Sequence, residues 1–210
     1  MVKKDKNEQI REPQQERSIA LKKRIMDAAR ELFSEKGMHG ATSNEIVKNA
    51  GVSVGSFYSY FRDKQHLFME VLRDYIDEVY EKMHLDQEQI EIPEGADLVN
   101  AIAMVLRTVF RSFDKDPRFH SQTIALRFSD PVIRKFYQEA EDRELEFIRT
   151  FLAKLEERTE VTLVDREAAI KVIHSSISYL VHSIKFLECD FDEDRLIEEE
   201  ARMIVRYLTF

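Results

Sequence analysis

Between Thr42 and Lys64 the chain reads T-S-N-E-I-V-K-N-A-G-V-S-V-G-S-F-Y-S-Y-F-R-D-K, a run rich in groups that hydrogen-bond to phosphate or neutralise it. Ala50-Gly51-Val52 marks a tight turn between two short helical stretches, with Val52 packing between them. A helix, a Gly-containing turn and a second helix form the unit that lays its second helix in the major groove of DNA while the first crosses the backbone. That groove is about 12 Å wide and admits one helix. On this reading Ser53, Val54, Ser56 and Phe57 face the bases from the start of the groove helix. Gly55, with no side chain, lets the backbone come close to the duplex. Tyr58 and Tyr60 offer hydroxyls to phosphates, and Lys64 places a charge at the start of the next helix. Thr42 and Ser43 offer hydroxyls and helix N-terminal N–H groups to the opposite strand. Phe61 and Leu67 are core residues, and Lys48 is an exposed solubility charge.

The elements that must position these groups are all helical. Residues 1–17 are Lys, Glu, Gln and Asn with almost no apolar content and read as a mobile tail. Ile25, Ala28, Ala29, Leu32 and Phe33 then mark one apolar face of a helix that ends at Gly37. Thr42 or Ser43 caps the next helix, Gly51 ends it, and Ser53 caps the one over Val54–Phe61. Asp63 caps a long helix with Leu67, Phe68, Val71, Leu72, Tyr75, Ile76, Val79 and Met83 in one stripe. After a break at Pro93-Glu94-Gly95, helices are expected over 96–113, 117–128, 131–158, 166–188 and 193–208. Asp116-Pro117 and Asp130-Pro131 are cap-plus-first-turn pairs, and Asp165 is a similar cap. The fold class is all-α: a tail over 1–17, a three-helix helix-turn-helix domain over 18–66, and a helical bundle over 67–210.

Composition agrees and narrows the function. The 210 residues are 43% hydrophobic and 34% charged, enough apolar content to exclude wholesale disorder. Five Gly and four Pro are too few for a turn-rich β-fold or a Gly-loop enzyme. The net charge of −8 hides an asymmetry: residues 1–70 hold 13 Lys and Arg against 10 Asp and Glu, while residues 71–210 hold 19 against 30. The basic part is the part with the helix-turn-helix pattern. No apolar run approaches the ~18 residues of a membrane helix, and the N-terminus carries no apolar signal stretch. With a single cysteine, Cys189, flanked by acids that disfavour its thiolate, the expectation is a cytoplasmic protein without a thiol switch. No phosphate loop, nucleophile motif or metal-ligand spacing is present, so an enzyme, a cofactor and a metal are not expected.

Arg24 to Ala29, Leu32-Phe33, Glu35-Lys36-Gly37, Thr42, Ile46, Ala50 to Ser53, Gly55, Tyr58, Tyr60-Phe61, Lys64 and Leu67 together resemble the N-terminal signature of TetR-family transcriptional regulators. The resemblance runs in register for about 45 residues; Val47 departs from the more usual Ala. It implies a DNA-binding transcription regulator, most often a repressor. It also implies a homodimer formed by the last two long helices, a palindromic operator on double-stranded DNA, and release by a small-molecule effector bound in the second domain. An architectural protein that coats DNA without a sensor is the alternative from another class, and the acidity of residues 71–210 counts against it.

For the second domain the candidate cavity residues are Leu106, Phe110, Phe128, Tyr137, His174 and Ser178, with Phe113, Phe136, Phe147, Phe151 and Tyr179 as further aromatic candidates. His174, Ser178 and His182 share one helix face, as a polar stripe at a dimer seam or as a ligand-orienting row; two histidines about 12 Å apart along the axis do not share a metal. Arg127 is read as a surface cation with an anionic ligand as its other use. The broad apolar surface of Ile170, Ile173, Ile177, Leu180, Val181, Ile184 and Leu187, with Leu196, Met203, Ile204 and Leu208, is expected to pair two protomers.

Overall fold

A computed structural model describes residues 8–87, 97–158, 161, 163–187 and 190–209. Among these the secondary structure is helical throughout: α1 (Glu8–Gly40), α2 (Ser43–Ala50), α3 (Val54–Tyr60), α4 (Lys64–Gln87), α5 (Leu98–Ser112), α6 (Pro117–Arg127), α7 (Pro131–Arg158), α8 (Arg166–Phe186) and α9 (Glu193–Leu208). They fall into two compact units that meet in sequence between Tyr75 and Ile76, inside α4. The expected domain limit at 66/67 is nine residues earlier. The difference arises because Leu67, Phe68, Val71, Leu72 and Tyr75 are all buried in the first unit, where the Phe33 and Phe68 rings meet edge to face at 5.0 Å.

In the first unit α1 starts at Glu8, nine residues before the end of the stretch that composition alone assigns to the tail. Glu, Gln and Arg are strong helix formers, and a polar run prolongs a helix already nucleated by its neighbour. Residues 1–7, with Lys3, Lys4 and Lys6, lie outside the described residues. Gly37, at φ 69° and ψ 171°, breaks the helical path within α1. At the next start, Thr42 accepts from the Glu45 N–H at 3.2 Å while Glu45 accepts the Thr42 N–H at 3.0 Å, a reciprocal cap. Gly51 ends α2 at φ 62°. There Arg24 reaches across from α1 and donates to Ala50 O at 2.6 Å, tying the turn to the first helix.

The second unit is built mainly from α5 against α9, α7 against α6 and α8, and α8 against both α6 and α9. Its helices begin on aspartate caps: Asp97, Asp116, Asp165 and Asp192 each accept from backbone N–H groups of the following turn, and Asp130 does the same for Val132 and Ile133. One expectation fails here. Ile170, Ile173, Val181, Ile204 and Leu208 are buried inside the protomer and are unavailable to a partner chain. Of the expected set Leu187 and Met203 stay exposed, and Val172, Tyr179 and Tyr207 join them on the outside of α8 and α9.

Candidate nucleic-acid interface and internal cavity

Helix α3 is seven residues long, and Ser53 caps it by accepting the Ser56 N–H at 3.0 Å. Ser53, Val54, Gly55 and Tyr58 lie on its open side, with Val54 51% and Tyr58 56% exposed. Ser56 is half-buried and shares a 2.8 Å hydrogen bond with Ser53. Phe57 does not belong to that surface. It is 0% exposed and packs on Phe61 at 5.8 Å and Tyr58 at 5.1 Å, so its expected contact with bases is withdrawn. An aromatic ring on the inner face of so short a helix is what holds the helix to its unit.

Gly55 has no positive φ, and a Cβ built on it would meet only Ser53 Oγ, at 3.8 Å. The fold therefore accepts a side chain here, and the missing one suits close approach from outside. Tyr60 is half-buried with its hydroxyl 2.9 Å from Ser18 Oγ. The Lys64 ammonium donates to Ala41 O at 2.6 Å, so it first closes the turn before α2 and has two further donors to spend elsewhere. The Thr42 hydroxyl is likewise engaged, donating to Glu45 Oε2 at 2.8 Å, and Ser43 is half-buried at the first position of α2. Glu45 would repel phosphate at this helix start. Lys36, bonded to it at 2.6 Å, and Thr42 hold its carboxyl down at about 2 and balance the charge. Lys48 is exposed.

A cavity of about 110 Å³ lies within the second unit, well above the ~10–15 Å³ that one ordered water needs. Of the residues expected there, Leu106, Tyr137, His174 and Ser178 line it, as do Phe113, Phe147, Phe151, His182 and Arg127. Phe110 and Phe128 do not. Phe110 is fully buried with Lys185 Nζ 6.0 Å from its ring, and Phe128, just past the end of α6, is 76% exposed. Phe136 and Tyr179 are also absent from the wall, Phe136 being buried elsewhere and Tyr179 exposed. The stripe of His174, Ser178 and His182 faces this cavity, not an outer seam.

Four polar residues of the wall, Glu141, Glu144, Tyr80 and His120, go beyond the set that the sequence pattern suggests. Glu144 Oε2 lies 2.7 Å from His174 Nε2, and its Oε1 lies 3.0 Å from the Tyr80 hydroxyl, which is also 2.9 Å from Ala140 O. Burial, with Glu144 beside it, pushes the Tyr80 hydroxyl well above the usual phenol range, so Tyr80 is a neutral donor. His120 is stacked on Phe186 at 4.4 Å, and burial together with nearby His182 pushes it down to about 3, leaving it neutral. His182 Nδ1 lies 2.5 Å from Ser178 O; a carbonyl only accepts, so Nδ1 carries the proton. Arg127 donates to Glu141 at 3.0 Å and lies 5.7 Å from the Tyr137 ring centre. Among the described residues no three His, Cys, Asp or Glu side chains are grouped to hold a metal ion, and no helix is long and apolar enough to cross a membrane. Cys189 lies outside the described residues.

Residues 25–71, which hold all of α2, α3 and the start of α4, match the family model described as bacterial regulatory proteins, tetR family. The first unit therefore carries a TetR-type N-terminal domain. Among curated TetR-type relatives, an uncharacterized HTH-type transcriptional regulator, YdgC of Bacillus subtilis (strain 168), is 31% identical over 103 residues, 48% of this chain and 51% of that protein. The chain thus spans about half the length of the curated relatives it matches, or less. Solved structures share the fold. The regulator FadR of Bacillus subtilis, in complex with stearoyl-CoA, superimposes with a TM-score of 0.68 at 22% identity, over 87% of this chain and 96% of that one. The TetR-family regulator PfmR of Thermus thermophilus does so with a TM-score of 0.64 at 19% identity, over 87% and 97%.

Proposed function

We propose that this chain is a ligand-responsive repressor that acts in the cytoplasm. It binds a palindromic operator as a homodimer through α3 and is released when a small molecule enters the cavity of the second unit. The observation that carries the reading is α4: its Leu67–Tyr75 side chains are core residues of the first unit, while Ile76, Val79, Tyr80 and Met83 line the cavity. A guest that contacts the second half of α4 has a covalent route to the helix that begins beside the α3 surface. For release, the guest must bind the DNA-incompetent state more tightly than the competent one, since equal affinity shifts nothing.

The homodimer is supported by the exposed Val172, Tyr179, Met203 and Tyr207 on α8 and α9, an apolar set that a second copy would cover. Two copies related by a two-fold axis present two α3 helices, which matches half-sites one helical turn or a multiple apart. The alternative, an architectural protein without sequence preference, is disfavoured by the 30 acidic against 19 basic residues of positions 71–210. The test is operator binding by fluorescence anisotropy with light-scattering mass in parallel. A dimer on a palindromic duplex, released by a compound that also stabilises the free protein, is the expected result. A monomer, or a complex that no cavity-binding compound releases, would overturn it.

A further inference from the structure

The wall of the cavity holds one carboxylate, Glu144, that no Lys or Arg is bonded to among the described residues. Its ionisable side chains are Arg127, Glu141, Glu144, His120, His174 and His182. Arg127 is committed to Glu141 at 3.0 Å, and Glu141 is bonded to Lys171 as well, so that carboxylate is already matched. His120 is neutral, and His182 spends its Nδ1 proton on Ser178 O. Glu144 differs. Its two oxygens are met by the Tyr80 hydroxyl and the His174 imidazole, and among the described residues no Lys or Arg is bonded to it. Of the two carboxylates in the wall, Glu141 is met by both Arg127 and Lys171, and Glu144 is the one with no bonded Lys or Arg among the described residues. In a site walled mostly by aliphatic and aromatic groups such a carboxylate acts on a guest with little screening.

Shape adds a second constraint. His174 marks the level of Glu144 on α8, and His182, eight residues on, marks the level of His120 and Phe113. At 1.5 Å per residue those levels are about 12 Å apart. Between and around them stand Ile148, Phe151, Leu152, Ile177 and Val181.

We propose that the effector is an elongated apolar molecule ending in a protonated amine, with Glu144 as the counter-charge that orients it. The proposal rests on the cavity being the effector site, and it names the chemistry of that effector. It also separates this chain from a regulator that would admit an anionic head. Glu144 accepts one N–H of the ammonium alongside Tyr80 and His174, a carboxylate having about four acceptor sites in all.

The experiment titrates octylamine, 1-octanol and octanoate, each below its aggregation threshold, into the full chain by calorimetry at pH 7.5. The expected order is amine, then alcohol, then carboxylate, with about tenfold or more between the first and the last. Glu144→Gln removes the amine's advantage over the alcohol, leaves the alcohol's affinity unchanged within about twofold, and so reports an intact cavity. Glu144→Asp, which keeps the charge, keeps the order. Octanoate binding as tightly as octylamine, an amine preference that survives Glu144→Gln, or no binding by any of the three overturns the proposal. If Glu144→Gln does not fold, the order in the unaltered protein decides alone. Operator release measured with the same probes tests the regulatory reading separately. Octanoate that binds best and still releases the operator removes only the amine, whereas amine binding without release removes the regulatory reading.

Discussion

Gly55 and Gly51 sit four residues apart and make opposite demands. At Gly55 a methyl group meets nothing closer than 3.8 Å, whereas at Gly51 the backbone has φ 62° and the new Cβ would stand 3.1 Å from Arg24. Gly55→Ala should therefore keep or slightly raise the melting temperature while weakening operator binding roughly tenfold or more. Gly51→Ala should lower stability by about 1–2 kcal/mol. A thermal melt paired with an anisotropy titration separates the two; equal operator affinity for Gly55→Ala and the parent would remove the close-approach argument. His120 gives a prediction in pH. Its folded value of about 3 lies below the ordinary 6.5, so below pH 6.5 the unfolded chain takes up a proton that the folded chain refuses. The contribution is complete above 6.5 and is lost progressively as pH falls towards 3. It amounts to several kcal/mol, since each pH unit separating the two values is worth on the order of 1.4 kcal/mol. His120→Phe should flatten the acid limb of a pH–stability curve in that window, and an unchanged limb would show that other groups set it.

At the scale of elements, the two short helices depend on what ends them. Thr42→Ala removes the reciprocal cap of α2 and should cost about 1 kcal/mol in chemical denaturation. A neutral result would mean that water replaces the cap without loss. Such end signals are the most legible part of the chain: Asp116, Asp130 and Asp165 cap where Asp precedes Pro or an apolar periodic run, and most helix ends fall within two residues of expectation. Faces are harder to read. In a helix of under two turns, Phe57 and Tyr58 have no period to separate them, and only the packed structure shows Phe57 inward and Tyr58 outward. The same ambiguity divides the cavity residues. Leu106, Phe110 and Phe113 belong to one apolar pattern, yet Phe110 turns under Lys185 while the other two line the cavity. Glu144 is hidden for a related reason, since in a helix as charged as α7 nothing in the sequence distinguishes an inward carboxylate from its solvated neighbours.

For the molecule as a whole, the basic first unit and acidic second unit fit a regulator that touches DNA with one part only. Replacing exposed Tyr179 with Glu places a charge in the proposed dimer face without touching the protomer's core. The variant should fold, run at half the parent's mass in light scattering, and bind single half-sites weakly. A Tyr179→Glu dimer of unchanged mass would place the seam elsewhere. The central claim, specific recognition by a two-fold assembly, is met most directly by selecting binding sites from a random duplex library at near-physiological salt. The protein would first be unfolded and refolded to strip any bound small molecule. Enrichment of an inverted repeat whose half-sites lie one helical turn or a multiple apart is the predicted result. Recovery of no preferred sequence, with binding that only fades as salt rises, would contradict the account and leave the architectural alternative in its place.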